Sequence, residues 1–126
     1  MKYSFGIIFF LFSSLVVSQA QSSIDNKFFN DVDAFMKAHV KNGQVDYANL
    51  TNDKTLNSLV STVETANLSG LDSKTKQAFY INAYNLLVIK GAIDNYPLNS
   101  VLKVNGFFDG KKRKVAHLIA YRSLTN

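Results

Sequence analysis

The stretch Ala78–Pro97, AFYINAYNLLVIKGAIDNYP, sets the problem that any fold of this chain must solve. A helix through it is apolar on every side. With Phe79 at zero and about 100° per residue, Ala83, Leu86 and Ile93 fall on one side and Ile81, Tyr84, Val88 and Ala92 on the other. A helix of that kind needs cover on two sides. It is expected to start at Asp72 or Ser73 and to end near Asp94, because a residue preceding Pro97 is pushed out of the helical region. Asn82 and Asn85 stand three apart on the edge between the two apolar sides, where a buried amide needs a hydrogen-bond partner. They are the candidate substrate-binding residues of the chain. The competing reading is that they tie a loop to the helix.

The first twenty residues are read as a secretory leader. Lys2 and Tyr3 make a short positive start, Phe5 to Val17 is an uncharged apolar and small-residue run, and Ser18-Gln19-Ala20 is a small-x-small cleavage site before Gln21. Thirteen residues at about 1.5 Å each reach only about 20 Å, short of a hydrocarbon core of roughly 30 Å. The expectation is therefore an exported protein, periplasmic or secreted, with no transmembrane anchor after cleavage. The leader holds one of the 14 basic residues and none of the 9 acidic ones, so the net charge of +5 falls by one, to +4, over residues 21–126. That segment is of single-domain size. The chain has no cysteine, which removes disulfides, a thiol nucleophile and cysteine-based metal sites from consideration.

A first helix is expected from about Ser23 to Val40, with Phe28, Val32, Phe35 and His39 on one stripe, Met36 beside them, and Gly43 as the stop. His39 sits in the middle of that stripe and is read as a core histidine bonded to backbone, since no carboxylate or second histidine stands at a pairing offset. Gln44 to Tyr47 reads as a short extended segment. A second helix is expected within Leu50 to Ala66, near residues 52–65, with Leu56, Leu59, Val60 and Val63 on one face. Asn49-Leu50-Thr51 and Asn67-Leu68-Ser69 match the glycosylation acceptor pattern, which is common by chance.

After Pro97, Leu98 to Val104 is read as a helical turn or a strand, and Gly106 to Val115 as a β-hairpin turning at Asp109-Gly110. The run Lys111, Lys112, Arg113 and Lys114 is the main charge cluster; it offers contact with a polyanion or an envelope surface, or else is a solvated edge strand. The fold class expected is α+β, mostly helical, with a central long buried helix and one hairpin.

VDYANL at 45–50, YINAYNLLVIKGAIDNYP at 80–97 and SVLKVNGFFDGKKRKVA at 100–116 resemble the bacterial proteins grouped as domain-of-unknown-function family 547. The likeness covers about residues 28–116. Members of that family look like exported or envelope proteins, and the resemblance implies no agreed activity. In the family the hairpin typically leads into a segment with a histidine and cysteines; here Val115-Ala116 passes into HLIAYRSLTN, and His117 is not equated with the family's histidine. The resemblance implies the N-terminal portion of such a domain, its last ten residues read as the product of a shifted frame or early stop. One side of the long helix is then expected to stay partly exposed.

Phosphate-loop, dinucleotide, nucleophile-elbow and zinc-helix motifs are missing, so no cofactor and no metal are expected, and nucleic acid is not an expected partner. Three readings stay open: an exported non-catalytic module that binds a partner, the front half of a thiol-dependent enzyme, and a polyanion-binding module using Lys111–Lys114. The first is preferred.

Overall fold

The computed structural model describes residues 22–107, 113–116 and 118–120. Helix α1 spans Asn26–His39, three residues later than the periodicity predicts at its start. The cap decides this: the Asp25 carboxylate accepts the Phe28 N–H at 3.2 Å, and what precedes it, Ser22–Ser23, is a short strand β1. Phe28, Val32 and Phe35 face the core as the spacing requires. The chain then turns at Asn42-Gly43, with φ of 51° and 74°, so that β2 (Val40–Lys41) pairs antiparallel with β3 (Gln44–Val45). Two positive φ values in a two-residue loop fit the type I′ hairpin, which Asn-Gly adopts at low cost. The extended segment is thus Gln44–Val45, and Tyr47–Leu50 forms a 3-10 turn.

Helix α2 spans Lys54–Thr65. Leu50 stays outside it because Asn52 takes φ 63°, which breaks the helical run, and Asp53 caps the new start by accepting the Leu56 N–H at 2.7 Å. Leu50 is still fully buried. The helix leads into β4 (Ala66–Asn67), which pairs in parallel with β1, Ser22 opposite Ala66 and Ser23 opposite Asn67. Helix α3 spans Ser73–Asp94, as the sequence predicts. Asp72 caps its start, and at its end the Tyr96 N–H donates to the Ile93 carbonyl at 3.0 Å while the Asn95 side-chain amide donates to the Gly91 carbonyl at 2.7 Å.

A second 3-10 turn, Val101–Lys103, follows. The C-terminal hairpin differs from expectation in its pairing. Strand β5 (Arg113–Val115) pairs antiparallel with β6 (Leu118–Ala120), and among the described residues Gly106 and Phe107 are in a turn and not in a strand. Phe107, expected in the first arm, is buried inside a turn whose N–H donates to the Val104 carbonyl at 3.1 Å. The turn residues Asp109-Gly110 lie outside the described residues.

One core joins the three helices: Ile24, Phe28, Val32 and Phe35 from the first part of the chain, Leu50, Leu56, Leu59, Val60, Val63 and Ala66 from the second, and Phe79, Ala83, Leu86, Leu87 and Ile89 from α3. Val115 and Ala116 pack on its edge, with the Ala116 N–H donating to the Val63 carbonyl at 2.8 Å. The fold is α+β and mostly helical.

Candidate functional site

The two apolar sides of α3 are treated differently. Phe79, Ala83 and Leu86 are buried against the other helices, whereas Tyr80, Ile81 and Tyr84 are 46%, 57% and 36% exposed. On a helix these three positions are neighbours, and Val88, half-buried, extends the same stripe by one turn. Farther along, Ala92 is buried again, so the open surface belongs to the first half of the helix. The long helix is therefore covered on one side along that half and partly exposed on the other, which agrees with the expected open side and corrects the expectation of a helix buried throughout.

The chemistry of this surface follows from its residues. From Gln77 to Ile89 the chain carries no charged side chain; the nearest charges are Lys76 and Lys90, and Lys90 is engaged with Asp94. Two phenol groups, one branched aliphatic and the amides of Gln77 and Asn85 make an uncharged, aromatic-rich strip. Half-exposed side chains that would each bury about 150–250 Å² put the open surface of the three large residues at roughly 300 Å².

Asn82 and Asn85 occupy different environments. The Asn82 amide donates to the carbonyl of Ala78 at 2.9 Å and is half-buried, so it is satisfied within its own helix and does not tie down a loop. Asn85 is exposed beside Tyr84 and Ile81. The two amides are thus not used together, and Asn85 belongs to the open strip.

His39 lies at the last position of α1, half-exposed, its ring 4.9 Å from that of Phe35. It is a rim residue and not the fully buried core histidine expected. It borders an open groove of about 540 Å³ between α1 and α2, whose walls include Asp31, Phe35, Lys54, Ser58 and Leu59. The sequence carried a signal for this groove that spacing alone did not bring out: Ala34 and Ala38 on α1 and Thr55 and Ser58 on α2, which line it, are all small.

The electrostatics are those of a solvated surface. Lys27 has its ammonium held above the usual lysine range by the hydrogen bond to Asp31 and then by that carboxylate's charge. Asp72 has its carboxyl held below the usual range by the Thr75 N–H at 2.9 Å and the Thr75 hydroxyl at 2.7 Å. Both are helix-end interactions. Every buried side chain among the described residues is apolar, and none of the described His, Asp and Glu side chains form a group of three suited to a metal ion. Of the basic run, Arg113 and Lys114 are in β5, and Lys111 and Lys112 lie outside the described residues. No helix among the described residues is long and apolar enough to cross a membrane.

No family model matches this chain, and neither a curated protein nor a solved structure matches it.

Proposed function

We propose that this protein is an exported, non-catalytic helical module that docks one partner polypeptide along the first half of α3. The observation that carries the reading is the contiguous open strip of Tyr80, Ile81 and Tyr84 within a charge-free run. Interface centres are depleted in charge and enriched in tyrosine, the composition of this strip. Its size selects the kind of partner. Roughly 300 Å² of large side chains is well under the about 800 Å² per side of a standard protein interface, and it matches what one amphipathic helix covers when laid along another. Export is carried by the leader pattern before Gln21, and the likeness of residues 80–97 and 100–116 to family 547 fits an envelope setting.

The test is site-specific photo-crosslinking in the exported protein, with the probe placed at Ile81 or, as a control outside the strip, at Lys54 at the start of α2. A discrete adduct at Ile81 that is absent at Lys54 and is lost with Tyr84→Lys is the expected result. No adduct at either position would overturn the docking reading. An adduct of twice the chain mass would make the occupant a second copy and overturn the choice of partner.

A further inference from the structure

We propose that the partner docked on α3 is a single amphipathic helix that pairs with it as a coiled coil, with an acidic end lying over Lys74 and Lys76. The inference rests on the docking reading and specifies its occupant. The open side of α3 has a spacing of its own: Lys74, Gln77, Ile81, Tyr84 and Val88 follow one another by three, four, three and four residues. That is the seam of a heptad repeat, along which a second helix packs knobs into holes. Lys74, Gln77, Ile81 and Tyr84 are exposed and Val88 is half-buried, while the next seam position, Gly91, is buried and closes the seam. Residues 74–88 extend about 21 Å, the length of two heptads of a partner helix.

The two ends of this seam differ in charge. Beyond Val88, Lys90 is already paired with Asp94. Before Gln77, Lys74 is exposed and Lys76 half-buried, and none of the ion pairs among the described residues includes either. Neither lysine serves the helix that carries it. They stand at the start of α3, whose first turn holds no acidic residue, beside the pole where unpaired backbone N–H groups disfavour cations. Asp72, the neighbouring carboxylate in sequence, is turned to the cap, accepting from the Thr75 N–H and hydroxyl. Two cations without a carboxylate, at one end of an uncharged seam, are complementary to acidic side chains on the helix that covers it.

Fluorescence anisotropy with two synthetic helical peptides tests the proposal on the protein expressed from its full-length gene. Both peptides carry the same leucine seam over two heptads; one bears glutamates at both ends and the other lysines. The glutamate peptide is expected to bind about fivefold tighter at low salt, within the range that two exposed ion pairs supply, and the difference to vanish near about 1 M salt, where the screening length is about 3 Å. In the double variant Lys74→Glu, Lys76→Glu the preference should invert, which a difference in peptide helicity does not produce. The thermal midpoint of that variant should hold or rise, because acidic residues suit the start of a helix. Equal affinities, or a preference that survives the charge reversal, overturn the acidic end and leave the docking reading standing. A midpoint that falls overturns it as well, since the lysines would then serve the fold. If neither peptide binds while the Ile81 crosslink persists, the coiled-coil partner is overturned alone; if the crosslink is absent too, the docking reading falls with it.

Discussion

The ring of Phe28 lies 5.7 Å from the ring of Phe79, tilted by 42°, and the two side chains join the start of α1 to the start of α3 inside the core. Phe79 is fully buried and Phe28 nearly so. Truncating Phe79 to alanine is expected to cost about 3–5 kcal/mol, because the cavity lies where two helices meet and cannot collapse freely. Phe28→Ala falls in the same range. A double-mutant cycle by chemical denaturation should show the pair to be coupled by about 0.5–1.5 kcal/mol, the usual value for aromatic pairs.

Replacing Ile81 by lysine tests the opposite situation. At 57% exposure its side chain has little packing to lose, so the change in unfolding free energy should stay within about 0.5 kcal/mol. What should change is association: the wild-type chain is expected to bind a hydrophobic dye and to elute late or broadly on size exclusion, and the lysine variant less so. A loss of several kcal/mol on Ile81→Lys would show that the strip is covered in the folded protein.

Asp53 is the clearest helix cap. Its carboxylate accepts the Leu56 N–H at 2.7 Å, and Leu56 itself is buried, so the cap also fixes a core residue. Asp53→Ala should lower stability by about 1 kcal/mol, and Asp53→Asn, which keeps the acceptor, by much less. Thermal unfolding of the two variants side by side checks this.

Asp72 gives the pH dependence a sign. Its folded pKa is depressed by the Thr75 N–H and hydroxyl, so its stabilising contribution is present above the unfolded carboxylate value of about 3.9 and is lost as pH falls through the lower folded value. Full exposure keeps the effect small. Lys27, raised by Asp31, acts at the other end: its contribution is present below the unfolded lysine value of about 10.4 and is lost as pH rises through the folded value. Denaturation midpoints of Asp72→Asn and of the wild type should converge toward acid pH.

The parts of this fold that could be read from the sequence are those governed by local chemistry. Both ends of α3 were legible because Asp72 and Pro97 act within a turn of the positions they decide, and the inward residues of α1 and α2 because periodicity reports them. β1 was not, since Ser22–Ser23 takes its conformation from Ala66–Asn67, and no pattern in a dipeptide announces a partner that far along the chain. The β5–β6 pairing was not legible for a related reason. The turn signal Asp109-Gly110 lies outside the described residues, and the pairing observed flanks Ala116, which takes φ 49° although alanine carries no turn preference. At the candidate site, the open side of α3 was foreseeable by asking which layers could cover a helix apolar all round. That Asn82 would turn back to its own Ala78 carbonyl, leaving Asn85 alone in solvent, depends on side-chain packing that residue spacing does not contain.

The parallel pairing of β1 with β4 also imposes an order in time. A chain that emerges from its N-terminal end presents Ser22 and Ser23 first, yet their partners Ala66 and Asn67 arrive only after the whole of α1 and α2. Throughout that interval Ser22 and Ser23 lack the partners they have in the folded protein. Once Ala66 and Asn67 have arrived the ladder can close, so the first strand of the fold is completed only by a segment that follows its second helix.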